Sequence, residues 1–358
     1  MSCLFTLLLV ALLARPAVAG PASLEFPPDR IFEQIRANRQ AYGKVVFIFG
    51  DSVSMMCSLE PIDFSTLHAR RNDTQYMVSA MAEMMRAVNE PGEKVKDPLW
   101  CMHSMASAIN ALLGASGLLQ ASDHGQVIPE AKLVATYAGE LGQPQPKNVA
   151  ANAARLTELV DTGVIRDGDV VVFEDAGYNG QNPDVYETNW LALGRAVLPR
   201  VNVTLVMYDM FDNIPEEEVM GIPPDAFRFD VPFPSPATGG KRSHNQALRD
   251  AVAKLAAMPD NKGHLLFIDM RRRMDAFRAA LREALGTPAL MPEGIHPNAW
   301  GEAFVVRELL RETGIAGQLT NTAPYRSLLV ANASRLALDG KPVDQDKAGA
   351  FIDAWLIP

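Results

Sequence analysis

Lys44-Val45-Val46-Phe47-Ile48-Phe49-Gly50-Asp51-Ser52-Val53-Ser54 is the stretch on which the reading of this chain turns. A short, continuous apolar run closed by a turn signal reads as a buried strand. It ends abruptly in Gly50-Asp51-Ser52, which sets a serine hydroxyl at the carboxyl end of a strand. That edge is where open α/β sheets bind their ligands. Far along the chain, Pro292-Glu293-Gly294-Ile295-His296-Pro297 sets a carboxylate three residues ahead of a histidine. Serine, acid and histidine are the three groups of a serine hydrolase, and they occur in that order.

Outward from this strand, further apolar runs predict strands over 132–138, 169–174, 201–208 and 264–269. Helical patterns lie between and after them, over 149–162, 190–198, 243–257 and 299–313, and from Pro98 to Leu113. Strand and helix in alternation predict a parallel sheet covered on both faces. The expected architecture is a three-layer α/β/α domain with five parallel strands. Residues 20–358 read as one such domain, with an insertion over 53–97 and a C-terminal extension over 317–358 that the pattern leaves unassigned. The insertion begins a Met-rich region, since eight of the 16 methionines fall between Met55 and Met105. They read either as the buried stripe of one helix (Met77, Met81, Met84, Met85) or as an adaptable apolar wall beside the serine. The 215–240 stretch, rich in proline and acidic residues, reads as a surface loop near the rim.

Leu4 to Leu13 form an apolar run too short to span a bilayer, followed by Ala17-Val18-Ala19. This is the pattern of an export signal over 1–19, cleaved ahead of Gly20, and it predicts a secreted or periplasmic protein. The net charge of −9 is spread along the chain and argues against nucleic acid as a partner. Arg271-Arg272-Arg273 reads as a solvated helix face. Two cysteines follow the signal, Cys57 and Cys101, and an oxidising compartment permits a disulfide between them or leaves two buried thiols. Neither has a second cysteine at metal-ligand spacing, and no His-Glu-x-x-His helix occurs, so a protein-bound catalytic zinc is not indicated.

A serine hydroxyl is a poor nucleophile until a base accepts its proton, and His296 is the candidate base. Glu293, on the same turn, can orient that imidazole and stabilise its cation. Each residue also has a plainer reading. Ser52 could cap a helix, Asn179 could be a turn residue, and His296 could be a surface residue ahead of a helix. What those readings leave unexplained is their joint arrival at the carboxyl edge of one sheet. Asp51 reads as a structural hydrogen-bonding residue, and His103 and His244 have no assigned role.

Together these pieces resemble the SGNH (GDSL-type) hydrolase family of esterases, lipases and carbohydrate deacetylases, over most of residues 44–312. Gly50-Asp51-Ser52 is similar to the family's nucleophile block, which implies Ser52 as nucleophile and its N–H as one oxyanion donor. Asp175-Ala176-Gly177-Tyr178-Asn179-Gly180 looks like the Gly-x-Asn-Asp block, which implies an oxyanion role for the Asn179 amide. Glu293-Gly294-Ile295-His296-Pro297-Asn298 resembles the Asp-x-x-His block that carries the base. The chain departs from the family by Gly180 in place of aspartate and Glu293 in place of aspartate. It also lacks the usual asparagine near the glycine block, where Gly142, or else Gly139, is the candidate second backbone donor. The resemblance implies a flavodoxin-like fold and an esterase that needs no cofactor. Its substrate would be a lipid-type ester or an acetylated carbohydrate. An acyltransferase, or a silent carbohydrate-binding relative, is the alternative on the same fold.

Overall fold

The computed structural model describes residues 39, 43–50, 105–116, 133–140, 146–174, 182–211, 229–286, 290, 297–333 and 343–358. Five strands enter the main sheet: β1 (Lys44–Gly50), β2 (Leu133–Glu140), β3 (Val170–Phe173), β4 (Thr204–Tyr208) and β7 (His264–Ile268). Their order is β2-β1-β3-β4-β7, and every neighbouring pair is parallel. Parallel strands need crossovers, which helices supply. The described helices between strands are α1 (Met105–Ala115), α2 (Pro146–Asp161), α3 (Pro183–Val197) and α4 (His244–Ala256). The class expected from the alternating pattern, α/β with a parallel sheet, is what the chain forms.

The apolar runs are continuous because both faces of the sheet are covered. Val45, Val46, Phe47 and Ile48 are successive residues that point to opposite faces, and each is fully buried. Val171, Val172 and Phe173 in β3 and Leu205, Val206 and Met207 in β4 repeat the pattern. On one face, Phe49 meets Phe173 edge to edge-face at 5.9 Å, and Phe173 meets Trp190 of α3 at 6.3 Å. Helix α3 then packs closely on α4, where a Cβ added at Gly194 would lie 2.4 Å from Leu255 Cδ1. No side chain larger than hydrogen fits there without moving Leu255.

At the amino edge of the sheet a buried ion pair holds the start of β1 to the start of β3. Asp169 accepts from Arg39 Nη2 at 2.6 and 2.5 Å, from Val45 N at 2.9 Å and from Arg166 N at 2.8 Å. Arg39 Nε donates to Val164 O at 3.1 Å. A carboxylate that has lost water is thereby met by three separate chain segments, which satisfies the requirement for a buried charge.

Several elements differ from the sequence expectation. The third helix begins at Pro183 and not near Trp190, because Asn182 Oδ1 caps the amides of Asp184 and Val185, each at 3.0 Å, with proline in the first turn. Part of the 215–240 loop is ordered as a hairpin, β5 (Phe233–Ser235) and β6 (Gly240–Arg242), whose antiparallel register pairs Pro234 with Lys241. After β7 comes α5 (Met270–Leu285), capped by Asp269 and ended at Gly286 with φ 88°. Its three arginines are not simply solvated. Arg271 pairs with Asp230, Arg273 reaches Glu308 at 2.5 Å and Glu312 at 2.6 Å, and Arg272 alone is largely exposed.

The extension left unassigned by its sequence forms α7 (Ala323–Asn332) and α8 (Gln345–Trp355), which pack against α5 and α6 (Ala299–Glu312). An aromatic column joins them. Trp300 stacks on Phe351 at 5.8 Å, Phe351 on Trp355 at 6.1 Å, and Phe277 on Phe304 at 4.5 Å. Trp300 Nε1 donates to Leu329 O at 3.1 Å, so its one polar atom is satisfied within the column. The segment is part of the core.

Candidate functional site

Strand order decides where a ligand site can form. From β1 the chain crosses to β2 on one side, and from β2 it returns to β3 on the other side of β1. The carboxyl ends of β1 and β3 therefore flank the point at which the winding reverses, where neighbouring loops diverge and leave a crevice. Glu174 N donates to Phe49 O at 2.9 Å, which locks the two strand ends side by side. Gly50 leads directly into Asp51 and Ser52, and Glu174 leads directly into the segment that contains Asn179. Both attachment points are thus adjacent at the crevice.

Ser52, Asn179, Gly142, Glu293 and His296 themselves lie outside the described residues, as do Asp51, His103, Cys57, Cys101 and the 53–97 insertion. Gly139 is described, and it belongs to β2. The register shifts between Ile48 and Phe49, so that Phe49 opposes Gly139 and Gly50 opposes Glu140. Such a bulge bends a strand end and is common at sheet edges beside functional sites.

The segment that carries Glu293 and His296 follows α5 and precedes α6. Helix α5 starts at the carboxyl edge, where Arg271 N donates to Asp209 Oδ1 at 3.1 Å. Helix α6 runs antiparallel to it, since Arg273 pairs with Glu308 and Glu312 while Phe277 stacks on Phe304. Residues 291–296 fall between these two helices and lie outside the described residues. Asn298 N donates to Leu290 O at 2.7 Å and ties the two ends of the segment together. Asn298 Oδ1 also caps Trp300 and Gly301, each at 3.0 Å. A Cβ at Gly301 would stand 2.9 Å from Pro297 Cβ, so glycine permits the close return of the chain after His296.

The described strand ends carry carboxylates: Glu140, Glu174, Asp209 and Asp269. Those beyond β4 and β7 are engaged in holding the edge. Asp209 is fully buried and accepts from Arg249 Nη2 and from Arg271 N. Burial pushes its carboxyl above the ordinary range, opposed by the Arg271 amide and the Arg249 charge. Asp269 caps α5 and pairs with Arg272. Among the described residues no group of three His, Cys, Asp or Glu side chains is arranged to hold a metal ion.

Sequence reasoning missed the anchor that fixes the return of the Asn179 segment. Arg242, from the hairpin, is 7% exposed and reaches Asp184 Oδ1 at 2.7 Å, Glu187 Oε2 at 2.6 Å and Asp250 Oδ2 at 3.0 Å. Asp184 also accepts from Ser235 Oγ at 2.6 Å and from Ala237 N at 2.9 Å. Burial works to raise the Asp184 carboxyl, yet these donors and the Arg242 charge hold it below the ordinary carboxylate range. Nothing in the local sequence marks Arg242, because its partners are spread along two helices. Asn182-Pro183-Asp184 was the one available signal. Arg242→Ala strips the cation from three acids, two of them largely buried, and is expected to cost about 3–5 kcal/mol in urea unfolding. A loss below about 1 kcal/mol would reduce the anchor to a surface ion pair.

His244, unassigned from sequence, is buried between Tyr186 at 5.1 Å and Phe233 at 5.2 Å, both edge-on. It packs the hairpin onto α3. No helix among the described residues is long and apolar enough to cross a membrane. Comparison with protein-family models, curated proteins and solved structures gives no match.

Proposed function

We propose that this chain is an exported serine esterase of the SGNH (GDSL-type) kind, on a three-layer, flavodoxin-like α/β/α fold. The observation that carries the reading is the Glu174–Phe49 bond. It joins the strand end leading to Ser52 to the strand end leading to Asn179, at the crevice where the winding reverses.

Ser52 Oγ attacks the ester carbonyl carbon as His296 takes its proton, and the carbonyl oxygen becomes an oxyanion. The Ser52 N–H, a backbone N–H at Gly142 and the Asn179 amide donate to that oxygen. Such donors contribute about 3–4 kcal/mol each where one has been removed elsewhere. Collapse of the intermediate breaks the bond to the alkoxy oxygen, which leaves as alcohol with the proton from His296. Water, deprotonated by the same imidazole, then cleaves the acyl-enzyme and restores Ser52. Glu293 orients the imidazole and stabilises its cation, and no step calls for a cofactor.

The test is covalent labelling of the folded protein by a fluorophosphonate probe, with the modified peptide identified. Labelling at Ser52 supports an activated serine, and an unlabelled folded protein would overturn it in favour of a binding role. Where the probe labels Ser52, fresh unlabelled protein is offered p-nitrophenyl esters of increasing chain length, with water or a sugar as acceptor. Transfer to sugar alone would make it an acyltransferase. A preference for acetyl would exclude the lipid-type substrate suggested by the Met-rich insertion.

A further inference from the structure

Glu302 occupies the first turn of α6, a residue from each of two buried glycine and alanine neighbours, and is 2% exposed. Its Oε1 has no hydrogen-bond partner among the described residues. Trp300 and Phe304 turn one side of α6 toward α5 and α8. At about 100° per residue, Glu302 lies on the opposite side of the helix.

Among the described residues no cation of the elements packed against α6 forms an ion pair with Glu302. Helix α1 (Met105–Ala115) has no ionisable residue, and the short helical turn Ala316–Gln318 has none. Strand β7 offers His264 at its exposed start. From α5, Arg273 is held by Glu308 and Glu312, Arg271 by Asp230 and Arg272 by Asp269, while Arg278 lies over the Phe211 ring. Arg326 of α7 is held by Asp353. On α6 itself, Arg307 pairs with Glu308. Burial pushes the Glu302 carboxyl up to about 8.

We propose that Glu302 is a proton-dependent latch: as a neutral acid it seats the first turn of α6 in the core, and as a carboxylate it releases that turn. A buried carboxylate without a partner is costly, and the turn can lower that cost by opening to water. The released turn is the one that starts at Asn298, whose side chain caps Trp300 and Gly301. The latch stands whether or not Ser52 is a nucleophile.

The sign follows from linkage. The closed turn keeps its proton up to about pH 8, whereas an opened, hydrated carboxyl loses it in the ordinary range near 4.5. The latch is therefore fully seated below that range and is lost as pH rises through 8. Opening should rise about tenfold per pH unit between roughly pH 5 and 8 and level off above.

Amide hydrogen exchange of the full chain from pH 5 to 9, corrected for the intrinsic pH dependence of exchange, reads this at residues 299–304. Wild type should lose protection about tenfold per unit over that range, while Glu302→Gln and Glu302→Met should show no such slope. Protection in wild type that is flat with pH overturns the proposal without recourse to a variant. So does the same slope in either variant that folds.

Discussion

Replacing Ser52 with alanine is expected to lower hydrolysis of a short acyl ester by roughly 10³-fold or more while leaving the unfolding midpoint in place. The residue lies two positions beyond Gly50, where β1 ends. If Ser52 is the nucleophile, the loss falls on kcat, because the acyl-enzyme cannot form. A His296→Ala variant should lose a comparable factor, and the double variant little more, since groups that act as one unit are not additive. Ser54→Ala is the control and should retain the wild-type rate. Near-normal turnover in Ser52→Ala would remove that residue from the mechanism and the esterase reading with it.

Asp169→Ala is expected to be the most damaging change to stability, about 3–5 kcal/mol, because it strands the Arg39 guanidinium in a buried site. The alanine would also leave the amides of Val45 and Arg166 without their acceptor, and an unmet buried donor costs about 1–3 kcal/mol. A chain with ordinary marginal stability would lose a large fraction of it. The combined replacement of Arg39 and Asp169 by apolar residues should recover part of the loss, since the stranded charge is then gone. Chemical denaturation of the three variants measures this. Equal midpoints for Asp169→Ala and wild type would show that the pair contributes nothing.

The core of the fold was legible because its signals are local. Val45–Phe49 and Val170–Phe173 are apolar without a break, as strands covered on two sides are, and the helix expected over 299–313 forms as α6. What could not be read depends on partners far apart in the chain. Arg242 means nothing without Asp184, Glu187 and Asp250 beside it. Pro234, which argues against a strand, is accommodated because β5 pairs with β6 alone, in a two-stranded ribbon. Trp355 has no evident role until Phe304 and Phe351 are placed against it. For the site, the Gly50-Asp51-Ser52 and Asn179 motifs could be located on strand ends by pattern. That those two ends are neighbours follows from the order β2-β1-β3-β4-β7, which no local pattern encodes.

The aromatic column has a bearing on how the molecule is made. A ribosome releases α5 and α6 well before α8, so Phe277, Trp300 and Phe304 wait without Phe351 and Trp355 to cover them. Until α8 emerges, the nascent polypeptide displays a sticky apolar wall that invites holdase binding or association with other copies. Docking of α8 is then the step that covers it.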